Sequence, residues 1–107
     1  MQEPGLDRHE WETAWEALEP QLRDAPIETL PELDALVERM LVERGYAIAD
    51  PVADDGIDPE VLAAFRSARE ITRLFDSGKD VSPGDAAAAA DGYRSVYAYL
   101  LEQRSAP

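Results

Sequence analysis

The sequence predicts an all-α fold, an antiparallel bundle of about four helices built from a single domain over residues 1–107. Three observations carry this. Apolar residues recur at steps of three and four in four separate stretches. Capping residues and prolines mark where those stretches begin. No stretch alternates polar and apolar residues as a half-buried strand does. The length is that of one ordinary domain, and a hydrophobic content of 45% is enough to supply its core.

The first helix is expected over residues 8–23. Asp7 and Glu10 have capping-box spacing, and Trp11, Ala14, Trp15, Leu18 and Leu22 follow on one face. Pro20 falls inside that pattern, where its missing N–H and its ring predict a kink or an early end. Residues 1–6 precede the pattern and are expected to be flexible. Asp24, Ala25 and Pro26 read as a turn. The second helix is expected over 28–44, with Pro31 in its first turn, Gly45 as its stop, and Leu30, Leu33, Leu36, Val37, Met40 and Leu41 as its buried face.

Residues 46–58 hold two Asp-Pro pairs and Gly56 without any period, which predicts a mobile loop. Asp58 as cap and Pro59 at the first position open a third helix over 59–77, stopped by Gly78. Its expected stripe is Val61, Ala64, Phe65, Ala68, Ile71 and Phe75. Ser82 and Pro83 repeat the cap-plus-proline signal for a fourth helix over 83–104. There Ala86, Ala89, Ala90, Tyr93, Val96, Tyr97, Leu100 and Leu101 span about 140° of arc. The run from Ala86 to Ala90 favours helix formation and close approach of a neighbour.

The chain carries 23 acidic and 10 basic residues, a net charge of −13. Such a surface repels phosphate-rich nucleic acid and anionic lipid, so direct binding to either is not expected. With no cysteine, disulfides and thiolate metal sites are excluded. There is no apolar run of membrane-spanning length and no signal-peptide pattern at the N-terminus, so a cytoplasmic setting is expected. The charge is divided unevenly: residues 1–60 hold 17 acidic and four basic side chains, and residues 61–107 hold six of each. Salt adaptation would acidify the whole surface. The split leaves general solubility and a partner-facing acidic surface as the competing explanations.

Few residues suggest chemistry. The one histidine, His9, lies at an exposed helix start with no nucleophile beside it, and reads as a surface residue. Asp50, Asp54, Asp55, Asp58 and Glu60 suggest a divalent cation loop. Aligning Gly56 with the glycine of a calcium loop, however, puts Pro51 and Ala53 at ligand positions and Leu62 where the bidentate glutamate belongs. No catalytic residue, cofactor or metal ligand is therefore assigned. Two features stand out as a candidate interaction surface. Arg66, Arg69 and Arg73 lie within about 60° of arc on the third helix. They are expected to pair with Glu70 and the acidic first half, the alternative being a groove for an anion or an acidic partner. Trp11 and Trp15 stand one turn apart on a narrow face, expected to pack in the core, with an exposed anchor at an interface as the alternative. Val42, Leu62, Ala88 and Tyr99 fall off their helices' apolar faces and would contribute to a partner or dimer surface if exposed.

The order of the aromatic first helix (Trp11, Trp15), the Asp24–Pro26 turn, the stretch from Asp34 to Val37, the run from Gly78 to Ser82, and Tyr93-Arg94-Ser95 resembles a group of small, acidic, uncharacterised helical proteins of actinobacteria. The resemblance covers about residues 11–101 and departs at Pro20 and in the 46–59 segment. It implies a bacterial cytoplasmic setting and carries no activity. Together these observations predict a non-enzymatic domain acting through protein contacts, its partner another protein or a second copy of the chain. The alternatives are an acidic mimic of nucleic acid that occupies a basic protein, and a metal- or small-molecule-binding helical enzyme.

Overall fold

The computed structural model describes residues 4–43 and 58–102, with side chains from His9 onward. It is an all-α bundle: α1 (Pro4–Asp24), α2 (Pro26–Glu43), α3 (Pro59–Asp76) and α4 (Pro83–Glu102). Helix α2 packs against α1, α3 and α4, and α4 packs against α2 and α3. Trp11 near the start of α1 meets Glu43 at the end of α2, so these two helices run antiparallel. Asp58, before α3, meets Tyr99 near the end of α4, which sets the same relation there. The expected mobile loop at 46–58, with Asp50, Asp54 and Asp55, lies outside the described residues except for its last residue, Asp58; Gly45 and Arg104 lie outside them too.

Two helix starts differ from expectation. Helix α1 opens at Pro4, inside the stretch expected to be flexible, which places Asp7 within the helix rather than at its cap. Pro20 does not end α1. It lies on the exposed side, where water can serve the Glu16 carbonyl that loses its N–H partner. The connection to α2 is Ala25 alone. Its N–H bonds the Gln21 carbonyl at 2.7 Å, and its own carbonyl accepts from the Thr29 N–H at 3.1 Å and the Thr29 hydroxyl at 2.7 Å. Pro26 takes the first position of α2, where a missing N–H costs nothing. Pro31 therefore lies inside the helix instead of in its first turn.

The remaining signals act as read. Asp58 caps α3 by accepting the Glu60 N–H at 2.8 Å, with Pro59 following. Gly78, at φ 84°, closes α3 in a Schellman turn, in which the Lys79 N–H reaches the Leu74 carbonyl at 2.9 Å and the Gly78 N–H reaches that of Phe75 at 3.0 Å. The Ser82 hydroxyl accepts the Asp85 N–H at 3.0 Å to open α4.

The core joins Trp11, Trp15, Leu18 and Leu22 of α1 to the six predicted apolar residues of α2 and to Ala86, Ala89, Ala90, Tyr93, Val96 and Leu100 of α4. The buried residues of α3 are Leu62, Phe65, Ala68 and Thr72, so its inner face is turned by about 60° from the predicted stripe, at 100° per residue. Val61, Ala64, Ile71 and Phe75 are only half-buried as a result. Close packing with α4 accompanies this rotation. A Cβ added at Gly92 would come within 2.9 Å of the Ala64 carbonyl oxygen and 3.2 Å of the Ala68 Cβ, which accounts for a glycine in mid-helix.

Candidate functional site

The rotation of α3 brings Arg69 to the edge of the interior, and a polar network forms where α2, α3 and α4 meet. Asp34 of α2 lies at its centre. Arg69 donates from Nη2 to Asp34 Oδ1 at 2.9 Å and from Nε to Asp34 Oδ2 at 3.2 Å, and also bonds Glu38 one turn further along α2. From α4, the Tyr93 hydroxyl donates to Asp34 Oδ2 at 2.7 Å. The Thr72 hydroxyl lies 2.6 Å from the Tyr93 oxygen and 3.0 Å from the Ala68 carbonyl. Tyr93 has one proton and gives it to the carboxylate, so the single Thr72 proton is shared between the Tyr93 oxygen and the Ala68 carbonyl. The guanidinium also lies 5.0 Å from the centre of the Phe65 ring, which meets Tyr93 edge-on at 6.3 Å.

The electrostatics follow from this burial. Tyr93 is fully buried, and loss of water pushes its phenol far above the ordinary tyrosine range. The bond from Thr72 pulls the other way, and the adjoining Asp34 carboxylate adds to the rise. Burial alone would lower the Arg69 pKa, but the bonds and charges of Asp34 and Glu38 together raise it. Tyr93 thus keeps its proton and Arg69 its charge at any ordinary pH. The network runs from sealed Tyr93 and Thr72 at its inner end to Glu38, whose side chain is 44% exposed, at its outer end. Its chemical capacity is to fix the register of three helices by charge-assisted bonds.

The three arginines consequently do different things. Arg69 is committed to Asp34 and Glu38 of the acidic first half, as expected, while Arg66 and Arg73 occupy exposed positions. The expected neighbour Glu70 is exposed. Trp11 and Trp15 are core residues, 3% and 5% exposed, and do not present an anchor to a partner. The Trp11 indole N–H bonds Glu43 Oε1 at 2.9 Å. The Trp15 ring stacks on Tyr97 at 4.3 Å and its N–H bonds Glu19 Oε2 at 2.6 Å. Arg94 of α4 reaches the same Glu19 oxygen at 3.4 Å, joining α1 to α4 on the surface. Of the four off-face residues, Leu62 is buried and Tyr99 half-buried, which leaves Val42 and Ala88 exposed.

Sequence reasoning missed Asp34, Glu38 and Thr72 as partners of Arg69 and Tyr93. The available signal was Thr72 at helical spacing from Phe65 and Ala68, with Asp34 and Glu38 one turn apart on α2. Among the described residues no three His, Asp or Glu side chains are grouped to hold a metal ion, and no helix is long and apolar enough to cross a membrane. Comparison with known proteins found no matching family model, no matching curated protein and no matching solved structure.

Proposed function

We propose that this chain is a non-enzymatic protein-contact domain whose acidic α1–α2 face receives a basic protein. One observation supports this above the others: Asp34, mostly buried, and Glu38, partly exposed, are matched to Arg69, whereas Glu10, Glu16, Asp24, Glu28, Glu32 and Glu43 are exposed on α1 and α2. Those two helices hold 11 acidic and three basic residues, against six and four on α3 and α4. A field of this sign steers basic partners toward the face and repels a second copy of the same chain. The narrower reading, mimicry of nucleic acid, requires a single contiguous carboxylate surface. Exposed carboxylates also stand at Glu60, Glu70 and Asp76 of α3 and at Asp85, Asp91 and Glu102 of α4, so the broader reading is preferred.

The test is affinity capture from a lysate with quantitative identification, at low and at high ionic strength. A specific basic protein retained at low salt and released at high salt is the expected result. Recovery of no enriched basic protein at either ionic strength would refute the proposal.

A further inference from the structure

Where α2 begins and α3 ends, Ile27, Phe75 and Val81 form the apolar floor of an open cleft of about 300 Å³, rimmed by Glu28, Lys79 and Asp80. The Schellman turn at Gly78 creates it by folding the chain back beside the first turn of α2. Phe75 is the notable side chain. Among the described aromatic residues it is the one that neither enters the core nor packs against it, although its spacing on α3 predicts burial. Ile27 and Val81 do pack against the core, so the floor is firmly backed.

We infer that this cleft seats an apolar side chain flanked by basic residues on a partner protein, an inference that rests on the basic-partner reading above. The charges select the occupant. Two carboxylates against one ammonium leave the rim negative, and exposed Glu32 continues it one turn along α2. An anion is disfavoured there, and so is a second copy of a chain with net charge −13. The cleft is too open to enclose a small ligand, which would need most of its surface buried. An anchor on a larger partner has no such need, because the acidic face supplies the remaining contacts. An aromatic and two branched aliphatic side chains give that anchor an apolar surface to pack on, with charge around it.

The experiment is a titration of the isotopically labelled chain, followed by amide chemical shifts. One probe is a capped hexapeptide of four arginines and two leucines, and the other is the same peptide with alanine in place of leucine. The largest shifts are expected at Ile27, Glu28 and Gly78 to Val81, with about tenfold weaker binding of the alanine peptide, as follows from withdrawing about one leucine from water. Val81→Arg should abolish that tenfold preference, while Ala17→Arg, adding the same charge on exposed α1, should keep it. Equal binding of both peptides, or shifts confined to α1 and α2 away from the cleft, would overturn the inference while leaving the acidic-face proposal standing. Binding of neither peptide would overturn both.

Discussion

Replacing Tyr93 by phenylalanine removes one oxygen from the centre of the network and little else. The ring keeps its edge contact with Phe65, and the volume change is too small for a substantial cavity cost. What disappears is the 2.7 Å bond to Asp34 and the 2.6 Å contact with Thr72. A hydrogen bond to a charged group contributes about 1.5–3 kcal/mol. Thr72 still has the Ala68 carbonyl, and Asp34 still has both bonds from Arg69, so neither is stranded. The expected loss is therefore about 2 kcal/mol, read by urea denaturation followed by circular dichroism near neutral pH. The pH profile gives a second reading. The folded chain holds the Tyr93 proton well above the ordinary range, whereas the unfolded chain releases it near pH ~10. Stability from this group is complete below that point and falls as pH rises beyond it, by up to about 1.4 kcal/mol per unit. Tyr93→Phe should lack that component. Equal stabilities at neutral pH, or identical alkaline slopes for the two chains, would refute the network.

Three further outcomes follow from the packing. Gly92→Ala gains about 1 kcal/mol of helix propensity but forces a Cβ against the Ala64 carbonyl, so a net loss of about 1 kcal/mol is expected by denaturation; a more stable variant would contradict the close α3–α4 approach. Pro20→Ala restores a donor to the Glu16 carbonyl in an unbroken α1 and should stabilise the fold by about 1–3 kcal/mol, whereas destabilisation would mean that the helix needs its proline. Emission from Trp11 and Trp15 should be blue-shifted and poorly quenched by acrylamide, and ready quenching would return them to the surface.

How much of this was legible in the sequence can be seen helix by helix. The apolar faces of α2 and α4 were readable because their leucine, alanine and valine positions match the helical period closely, and every residue predicted for α2 is buried. The start of α3 was readable because cap and proline act locally, through the chain's own N–H groups. The start of α2 was not, because two prolines compete and Ala25 has no capping side chain to mark the boundary; its carbonyl accepts both the N–H and the hydroxyl of Thr29. The rotation of α3 was hidden for a different reason. Its predicted stripe counted apolar residues alone, while the interior accepts Thr72, whose hydroxyl is satisfied by Ala68 and Tyr93, and leaves Phe75 at the cleft. The network depends on that rotation. Asp34 is one carboxylate among 23, and only the placement of Tyr93 and Arg69 on two other helices distinguishes it.

Under the proposed reading labour is divided: Asp34 and Glu38 bind Arg69 to hold the helices, and the other exposed carboxylates of α1 and α2 receive the partner. A chain carrying Glu10→Gln, Glu16→Gln, Glu32→Gln and Glu43→Gln tests it most directly, compared with the unaltered chain for thermal stability and for partner captured at low salt. The expected result is a fold within about 1 kcal/mol of the original, because exposed charges contribute little and the amide that replaces Glu43 keeps an oxygen for the Trp11 N–H, together with at least a tenfold loss of the captured basic protein. Undiminished capture by the neutralised face would contradict it.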